Sequence, residues 1–211
     1  PRVPISAKLI VDVLEAAGAN RILTMDLHTP QIQGFTNIPF DHISSAPVFQ
    51  QELPYLKELN DLIIVSPDTG GIKRAEAFAA YHECDIGFIV KKRIDASNVK
   101  ADNLVGNVRG ANVILLDDLT ESCGTIELAA QICRNNYAKS IKVIVCHNLL
   151  NRLGIERLEN NPHICNIFTT DSVDNLNSYS ALPRLKVVSV NAIFAEAIKR
   201  IHTNSSVSSL F

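Results

Sequence analysis

The sequence predicts an α/β fold with a mainly parallel β-sheet flanked by helices. Short runs rich in Ile, Val and Leu recur along the chain, and such near-continuous apolar runs are typical of strands covered on both faces. Segments with a helical pattern lie between these runs, as expected for repeated strand–helix units. The predicted strands span 20–27, 61–67, 85–90, 112–118 and 140–147, and the predicted helices span about 5–17, 72–83, 124–135 and 191–202. In the first helix, Ser6 is expected to cap the N-terminus and Gly18 to end the helix.

Composition and charge limit the classes of function. With 211 residues, of which 46% are hydrophobic, the chain can bury the core of a globular protein. A formal net charge of −2 and a pI near 6.3 argue against broad binding to nucleic acid or to an anionic membrane. We therefore expect no nucleic-acid partner and no membrane association, although a local basic patch can still bind a small anion.

The cysteines argue against an extracellular protein. There are five of them, an odd number, and they are scattered without a C-x-x-C pair. This spacing encodes neither a disulfide framework nor a zinc site. No signal peptide is visible, and no apolar run approaches the ~20 residues of a membrane span. The expected location is the cytoplasm.

Three polar loops follow predicted strands: "DLHTPQIQGF", "SPDTGGIKRA" and "DDLTESCGT". In open α/β sheets, ligands bind at the carboxyl ends of the strands, where such loops begin. We expect the three loops to lie together on adjacent strand ends. Their Asp, Gly, Ser and Thr residues suit phosphate and metal chemistry.

The stretch "VILLDDLTESCGTI" holds the most informative of these loops. Backbone N–H groups of residues 121–125 and the start of the following helix can form an anion cradle, to which the hydroxyls of Ser122 and Thr125 add donors. Asp117 and Asp118 would repel a phosphate, so their expected partners are sugar hydroxyls or a divalent cation. Together these features indicate ribose-phosphate binding, although a plain strand-to-helix turn with acidic capping residues accounts for them about equally well.

This stretch resembles the ribose-phosphate loop of proteins with the type I phosphoribosyltransferase fold. "RVPISAKLIVDVLEAAGANRILTMDLHTPQIQGFTNIPFD", "IIVSPDTGGIKRA" and the ending "AEAIKRIHTNSSVSSLF" are similar to segments of the phosphoribosyl pyrophosphate synthetase (ribose-phosphate pyrophosphokinase) family. The resemblance runs from end to end of the chain. It implies a type I phosphoribosyltransferase-like fold and transfer of the diphosphate of ATP to the 1-hydroxyl of ribose 5-phosphate, with Mg²⁺ as cofactor.

The resemblance also implies roles for individual residues. Ribose 5-phosphate would be bound by Asp117, Asp118, Glu121, Ser122, Cys123, Gly124 and Thr125. Asp26, His28 and Asp41 would contribute to the Mg²⁺–ATP site, and Asp68 to a second metal site. Without the resemblance, His28 reads as a satisfied loop histidine and Asp68 as a turn former.

Lys91 and Arg93 reproduce the spacing of a lysine and an arginine that the family keeps on a flexible loop closing over ATP. A register starting at Lys92 would lose the arginine, but counting without gaps from Asp68 to Asp117 favours Lys91 and Arg93. Their implied catalytic role is to neutralise charge on the transferred diphosphate. The alternative is a solvated basic strand end.

The chain departs from the family in composition and in length. Glu121-Ser122 stands where the family usually has Asp-Thr, and Asn37 replaces an acid. The chain lacks the further N-terminal segment of the family, which fits either removal of Met before Pro1 or a fragment. By resemblance, residues 1–43 end an N-terminal domain, 44–190 form a C-terminal domain that binds ribose 5-phosphate, and 191–211 return to the N-terminal domain.

Three functions therefore remain open. The first is the synthetase itself, as a fragment or as a divergent copy. The second is a non-catalytic regulatory or associated subunit, and the third, disfavoured by the 22–41 signature, is a phosphoribosyltransferase. Apolar surfaces on the first and last helices predict an oligomer or poor solubility. The family implies a homo-oligomer, a hexamer, or a hetero-oligomer with a related subunit.

Overall fold

The computed structural model describes residues 5–95 and 98–210, with side chains except at 91–102, 176, 177 and 179. The chain divides into two units, Pro1–Val48 with Asn191–Phe211 and Phe49–Val190. The helices are α1 (Ser6–Ala16), α2 (Ala46–Glu52), α3 (Ile72–His82), α4 (Gly124–Asn135), α5 (Arg152–Asn160), α6 (Leu176–Ala181) and α7 (Asn191–His202). The strands are β1 (Ile22–Met25), β2 (Phe40–Ile43), β3 (Leu62–Ser66), β4 (Asp85–Asp95), β5 (Asn98–Val105), β6 (Asn112–Thr120), β7 (Ser140–Asn148), β8 (Ile164–Thr170) and β9 (Leu185–Val188).

The larger unit is built on a seven-stranded sheet with the order β5-β4-β3-β6-β7-β8-β9. Only the β4–β5 pair is antiparallel, and the other neighbours are parallel. All five residues of β3 are buried, as expected for a strand covered on both faces. The predicted α/β class with a mainly parallel sheet is thus confirmed.

The core of this unit lies between the sheet and its helices. Alternate residues of the central strands, including Val113, Leu115, Val143 and Val145, form one buried cluster with the inner face of α4. This alternation follows from the two-residue period of a strand. Helix α3 contacts β3, β4 and β6, and α4 contacts β5, β6 and β7. The strand ends that carry the polar loops are therefore held by a packed sheet.

The smaller unit has its own short sheet, in which β1 and β2 pair in parallel. A 3-10 helix, Pro30–Phe35, connects these two strands. β1 is therefore not a neighbour of β3 and β6, and the expectation that all three polar loops follow adjacent strands of one sheet is wrong. A hydrophobic run predicts a strand, but it does not specify the sheet to which that strand belongs.

Helix α1 begins differently from the prediction but ends as predicted. Ile5 is the N-cap and no side chain caps the helix, so Ser6 is the first helical residue instead of the cap. Gly18 follows the C-terminus with φ of +99°, and its N–H donates to the carbonyl of Glu15. The prediction for this end is confirmed, since a positive φ at this position favours glycine.

Candidate functional site

Asp117 and Asp118, the acidic pair, lie near the C-terminal end of β6. The backbone N–H of Asp118 donates to Oδ1 of Asp117 at 2.9 Å. Nη1 of Arg74, on α3, lies 3.4 Å from Oδ1 of Asp118 and 3.8 Å from Oδ1 of Asp117. Arg74 thus partly balances two half-buried or buried negative charges, which would otherwise destabilise the fold.

Burial and neighbouring carboxylates raise the pKa of Asp117 to about 7. Desolvation is the largest cause, followed by the contact with Asp118, and the charge of Asp68 acts in the same direction. Three carboxylates from two strand ends therefore influence one another. A cation or a set of sugar hydroxyls placed here would favour the ionised form of Asp117.

Asp68 lies in the loop between β3 and α3. Its Oδ1 accepts hydrogen bonds from the N–H groups of Gly70 at 2.9 Å and Gly71 at 3.3 Å, and its carbonyl accepts one from Oγ of Ser66 at 2.7 Å. A Cβ on Gly71 would lie 2.6 Å from that Oγ, so only glycine fits the turn as it stands. Asp68 is thus a turn former, and its charge makes a small contribution to the raised pKa of Asp117.

The loop 121–125 links β6 to α4. Cys123 adopts φ of +57° as the N-cap of α4, and its Sγ lies 2.8 Å from Oγ1 of Thr120. Burial raises the pKa of the Cys123 thiol to about 11, so this side chain stays neutral and inside. Glu121 is exposed, and Ser122, Gly124 and Thr125 are partly exposed. The loop therefore presents its backbone and small side chains at the start of a twelve-residue helix.

The residues predicted for the Mg²⁺–ATP site lie in the smaller unit. Asp41 makes two hydrogen bonds with Arg21, from Nε at 2.6 Å and from Nη2 at 3.2 Å. Asp26 is buried at the end of β1 and accepts hydrogen bonds from the N–H and the hydroxyl of Ser45. His28 is exposed. Both carboxylate oxygens of Asp41 are therefore paired with the guanidinium group of Arg21, in the same unit.

The acidic side chains and the histidine of this region have the oxygen and imidazole donors that Mg²⁺ accepts as ligands. Within residues 5–95 and 98–210, no group of three or more His, Cys, Asp and Glu side chains is arranged to hold a metal ion. Mg²⁺ commonly binds through one or two carboxylates, with waters and substrate phosphates completing the shell. The carboxylates of Asp68 and Asp117 fit that mode, in which the substrate supplies the remaining ligands.

Lys91 and Arg93 lie in β4, and their backbones pair with Ala101 and Val99 of β5. Their side chains lie outside the described part of the chain. The ladder carries register shifts between Val90 and Lys91 and between Arg93 and Asp95. The catalytic role of this pair stays a prediction.

Sequence reasoning missed two arginines at the site. Arg74 appears in the quoted loop "SPDTGGIKRA", and its position on the first turn of a helix after a strand end was a usable signal. Arg157, on α5, donates from Nη1 to the carbonyl of Ser122 at 2.8 Å. It is 35 residues from that carbonyl in the sequence, and no local pattern indicates such a contact.

Comparison with known proteins identifies the family of this chain. Residues 94–211 match the family model described as the phosphoribosyl synthetase-associated domain. The whole chain is 38% identical to ribose-phosphate pyrophosphokinase of Aquifex aeolicus, over 67% of that protein. The chain belongs to the ribose-phosphate pyrophosphokinase family. The corresponding enzyme of Bacillus subtilis is 41% identical and is covered over 65% of its length.

A solved structure agrees with this membership of the pyrophosphokinase family. The crystal structure of phosphoribosylpyrophosphate synthetase from Mycobacterium smegmatis superposes with a TM-score of 0.87 at 31% identity, covering 97% of this chain and 66% of that one. The type I phosphoribosyltransferase-like fold is thereby confirmed. The chain spans about two thirds of the length of these relatives.

Helices long and apolar enough to cross a membrane are absent from the part of the chain that the structure describes.

Proposed function

We propose that this chain takes part in ribose-phosphate diphosphokinase chemistry, in which the 1-hydroxyl of ribose 5-phosphate attacks the β-phosphorus of ATP. The products are phosphoribosyl pyrophosphate, for nucleotide biosynthesis, and AMP. The observation that carries the proposal is that the acidic pair at the end of β6 is followed directly by the loop 121–125 and the start of α4. The chain that carries this arrangement is similar to proteins named ribose-phosphate pyrophosphokinase.

Ribose 5-phosphate is the substrate whose chemistry matches this strand end. Asp117 and Asp118 accept hydrogen bonds from the ribose hydroxyls, and residues 121–125 bind the 5-phosphate through backbone N–H groups at the start of α4. Arg74 holds Asp118 in place, with Nη1 at 3.4 Å from Oδ1. Catalysis in this transfer consists mainly of positioning and charge neutralisation.

Mg²⁺ belongs to the proposal as the ion that neutralises the phosphates of ATP and orients the transferred diphosphate. Asp68 would contribute a carboxylate to it beside Asp117. Asp26, His28 and Asp41 would serve the nucleotide-bound ion, and Asp41 would exchange Arg21 for it. Lys91 and Arg93 would balance the charge that develops on the diphosphate.

A second candidate is a non-catalytic associated subunit of a synthetase. The family model that matches residues 94–211 is described as a phosphoribosyl synthetase-associated domain, which favours this function. Glu121 is exposed and longer by one methylene than the aspartate that the resemblance implies, which can displace a ribose contact. Such a subunit would bind ribose 5-phosphate and release no AMP.

The proposed setting is a cytoplasmic oligomer. None of the five cysteines, all of which lie in the described part of the chain, forms a disulfide bond, as suits a reducing compartment. Five large apolar residues of α1 and the residue before it are exposed by 43–66%, and these are Ile5, Leu9, Ile10, Val13 and Leu14. A continuous apolar stripe of this kind is rare on a monomer. We infer that copies of this chain, or a related subunit, cover it.

The test is AMP formation from ATP, with ribose 5-phosphate and Mg²⁺, by the purified chain and by the variant Asp68→Asn. Asparagine keeps the oxygen that accepts from Gly70 and Gly71 but removes the charge, so the turn is preserved. We expect AMP release to depend on ribose 5-phosphate and to fall at least about tenfold in Asp68→Asn. Exposed Asp174→Asn is the control and should match the parent chain. Absence of AMP with retained ribose 5-phosphate binding would favour the associated subunit.

A further inference from the structure

The segment 149–157, which follows β7 and enters α5, contacts three successive carbonyl groups, one at the last residue of β6 and two in the loop that follows. The N–H of Leu149 donates to the carbonyl of Thr120 at 2.9 Å, and the N–H of Asn151 donates to that of Glu121 at 3.2 Å. Nη1 of Arg157 donates to the carbonyl of Ser122 at 2.8 Å. One continuous stretch of chain thus engages the carbonyls of residues 120–122, at the end of β6 and in the loop.

These contacts determine which way the loop amides point. A trans peptide group is planar, with its C=O and N–H directed to opposite sides. Because the three carbonyls turn toward segment 149–157, the N–H groups of residues 121–123 turn away from it. Successive N–H groups that share one side form a concave site for an anion. The segment therefore acts as the support of the phosphate-binding surface.

Arg157 supplies the side-chain part of this support. Its Nε lies 3.2 Å from Oε2 of Glu127 in the first turn of α4, while Nη1 holds Ser122. A Cβ on Gly124 would lie 3.0 Å from Nη1, so the guanidinium lies directly against the loop backbone. A planar guanidinium can make both contacts at once because its donors form a fixed fork, whereas a lysine ammonium is a single point charge.

The backbone of α5 also approaches the loop closely. A Cβ on Gly154 would lie 2.1 Å from the carbonyl oxygen of Glu121, which brings helix and loop nearer than a side chain would allow. Oδ1 of Asn151 accepts from the N–H of Gly154 at 3.0 Å and caps α5 at that point. The start of α5 is therefore fixed relative to the loop by contacts that do not involve Arg157.

We propose that Arg157 is a positioning residue for ribose 5-phosphate: it fixes the Ser122–Cys123 peptide so that the amide of Cys123 faces the 5-phosphate together with the amides of residues 121 and 122, which the contacts of Leu149 and Asn151 orient. This inference rests on the proposed function of the loop. Arg157 touches the loop backbone instead of the substrate, so it acts through the orientation of the peptide groups. Its removal should loosen the loop and weaken phosphate binding while the sheet beneath stays folded.

The test compares Arg157→Met, Arg157→Lys and Arg152→Met with the parent chain. Arg152 lies on the same helix, with a side chain 92% exposed and paired with Glu156, so it is a matched control for loss of an arginine from α5. Ribose 5-phosphate affinity is measured by isothermal titration, and hydrogen exchange is measured at the amides of residues 121–126. Circular dichroism monitors folding.

We expect Arg157→Met to weaken ribose 5-phosphate about tenfold, as for the loss of one charge-assisted hydrogen bond, and to speed exchange selectively in the loop. Arg157→Lys should recover part of the affinity, and Arg152→Met should match the parent. Unchanged affinity and unchanged loop exchange in Arg157→Met would overturn the positioning role alone. If the folded parent chain fails to bind ribose 5-phosphate, the proposed function of the loop and this inference both fail.

Discussion

Asp117 lies beside Asp118 and near Asp68, and burial together with these carboxylates raises its pKa to about 7. A carboxyl group whose pKa is raised in the fold is held there in its neutral form. In the unfolded chain the carboxyl group of Asp117 ionises near pH 4. The free energy of unfolding therefore decreases progressively as the pH rises from about 4 to 7. The ligand-free site is thus less stable above pH 7 than it would be with a neutral group.

We therefore predict that Asp117→Asn raises the melting temperature more at pH 8 than at pH 5. Each kcal/mol of added stability corresponds to roughly 2–4 °C for a chain of this size. The same change should weaken ribose 5-phosphate, because the amide accepts fewer hydrogen bonds from the ribose hydroxyls. Thermal denaturation at both pH values checks the first part, and an equal shift at pH 5 and pH 8 would contradict it.

At the residue scale, the sequence indicated Asp117 and Asp118 because they follow a buried strand directly in the chain. Arg157 could not be predicted, because its contact with Ser122 exists only once α5 packs beside α4. The hydrogen bonds between Asp41 and Arg21 could not be predicted either, because they depend on the pairing of β1 with β2. Local order in the sequence fixes which side chains enter a loop, while tertiary packing fixes their partners.

At the element scale, the C-terminus of α3 carries an unusual histidine. His82 is 7% exposed, and neither ring nitrogen has a hydrogen-bond partner among the residues for which side chains are described. Its ring lies between those of Phe78 and Tyr81, at centroid distances of 4.8 and 5.1 Å. Burial, with a smaller effect from the charge of Lys57, lowers the pKa of His82.

We predict that His82→Leu raises stability and flattens its dependence on pH between 7.5 and 5. Because burial lowers the pKa of His82 in the folded chain, the unfolded chain binds more protons than the folded chain near and below pH 6.5, so stability falls as the pH falls. Removing two unsatisfied buried nitrogens should add about 1 kcal/mol or more. Urea unfolding at each pH measures this. His163→Leu, at a partly exposed position in the same unit, is the control, and equal pH slopes for the parent and His82→Leu would refute the prediction.

The elements around the site were predicted closely. The predicted helix 124–135 matches α4 in both bounds, and the predicted strand 112–118 extends by two residues into β6. Their apolar runs are long and their periods are clear. β8 and β9 were missed, since β8 begins in a stretch with few consecutive apolar residues and β9 has only four residues. β9, a four-residue strand at the edge of the sheet, is determined by its pairing with β8 more than by its own sequence.

At the scale of the whole molecule, the sequence specified the fold class but not the sheet to which every strand belongs. The run 20–27 has the composition of a buried strand, yet β1 pairs only with β2 in the smaller unit. The chain passes from one unit to the other at Val48/Phe49 and at Val190/Asn191. The domain bounds expected at 43/44 and 190/191 stay a prediction. The assignment of these units to particular family domains stays a prediction.

The exposed apolar stripe on α1 leads to a prediction about assembly. We expect the chain to sediment as an oligomer, and we expect Leu9→Lys combined with Val13→Lys to shift it toward monomer, because both residues are more than half exposed. Tyr137→Ser is the control, since Tyr137 is 68% exposed in the other unit. Sedimentation velocity over a range of concentrations gives the answer. A parent chain that stays monomeric at high concentration would contradict the assembly.

The central claim is that the end of β6 binds ribose 5-phosphate. The most direct measurement is isothermal titration of ribose 5-phosphate, with Mg²⁺, into the purified chain and into Asp118→Asn, with Asp174→Asn as the control. The account predicts saturable binding to the parent and to Asp174→Asn, and at least about tenfold weaker binding to Asp118→Asn. The absence of binding to a parent chain with a folded circular-dichroism spectrum, or equal affinity in all three proteins, would contradict it.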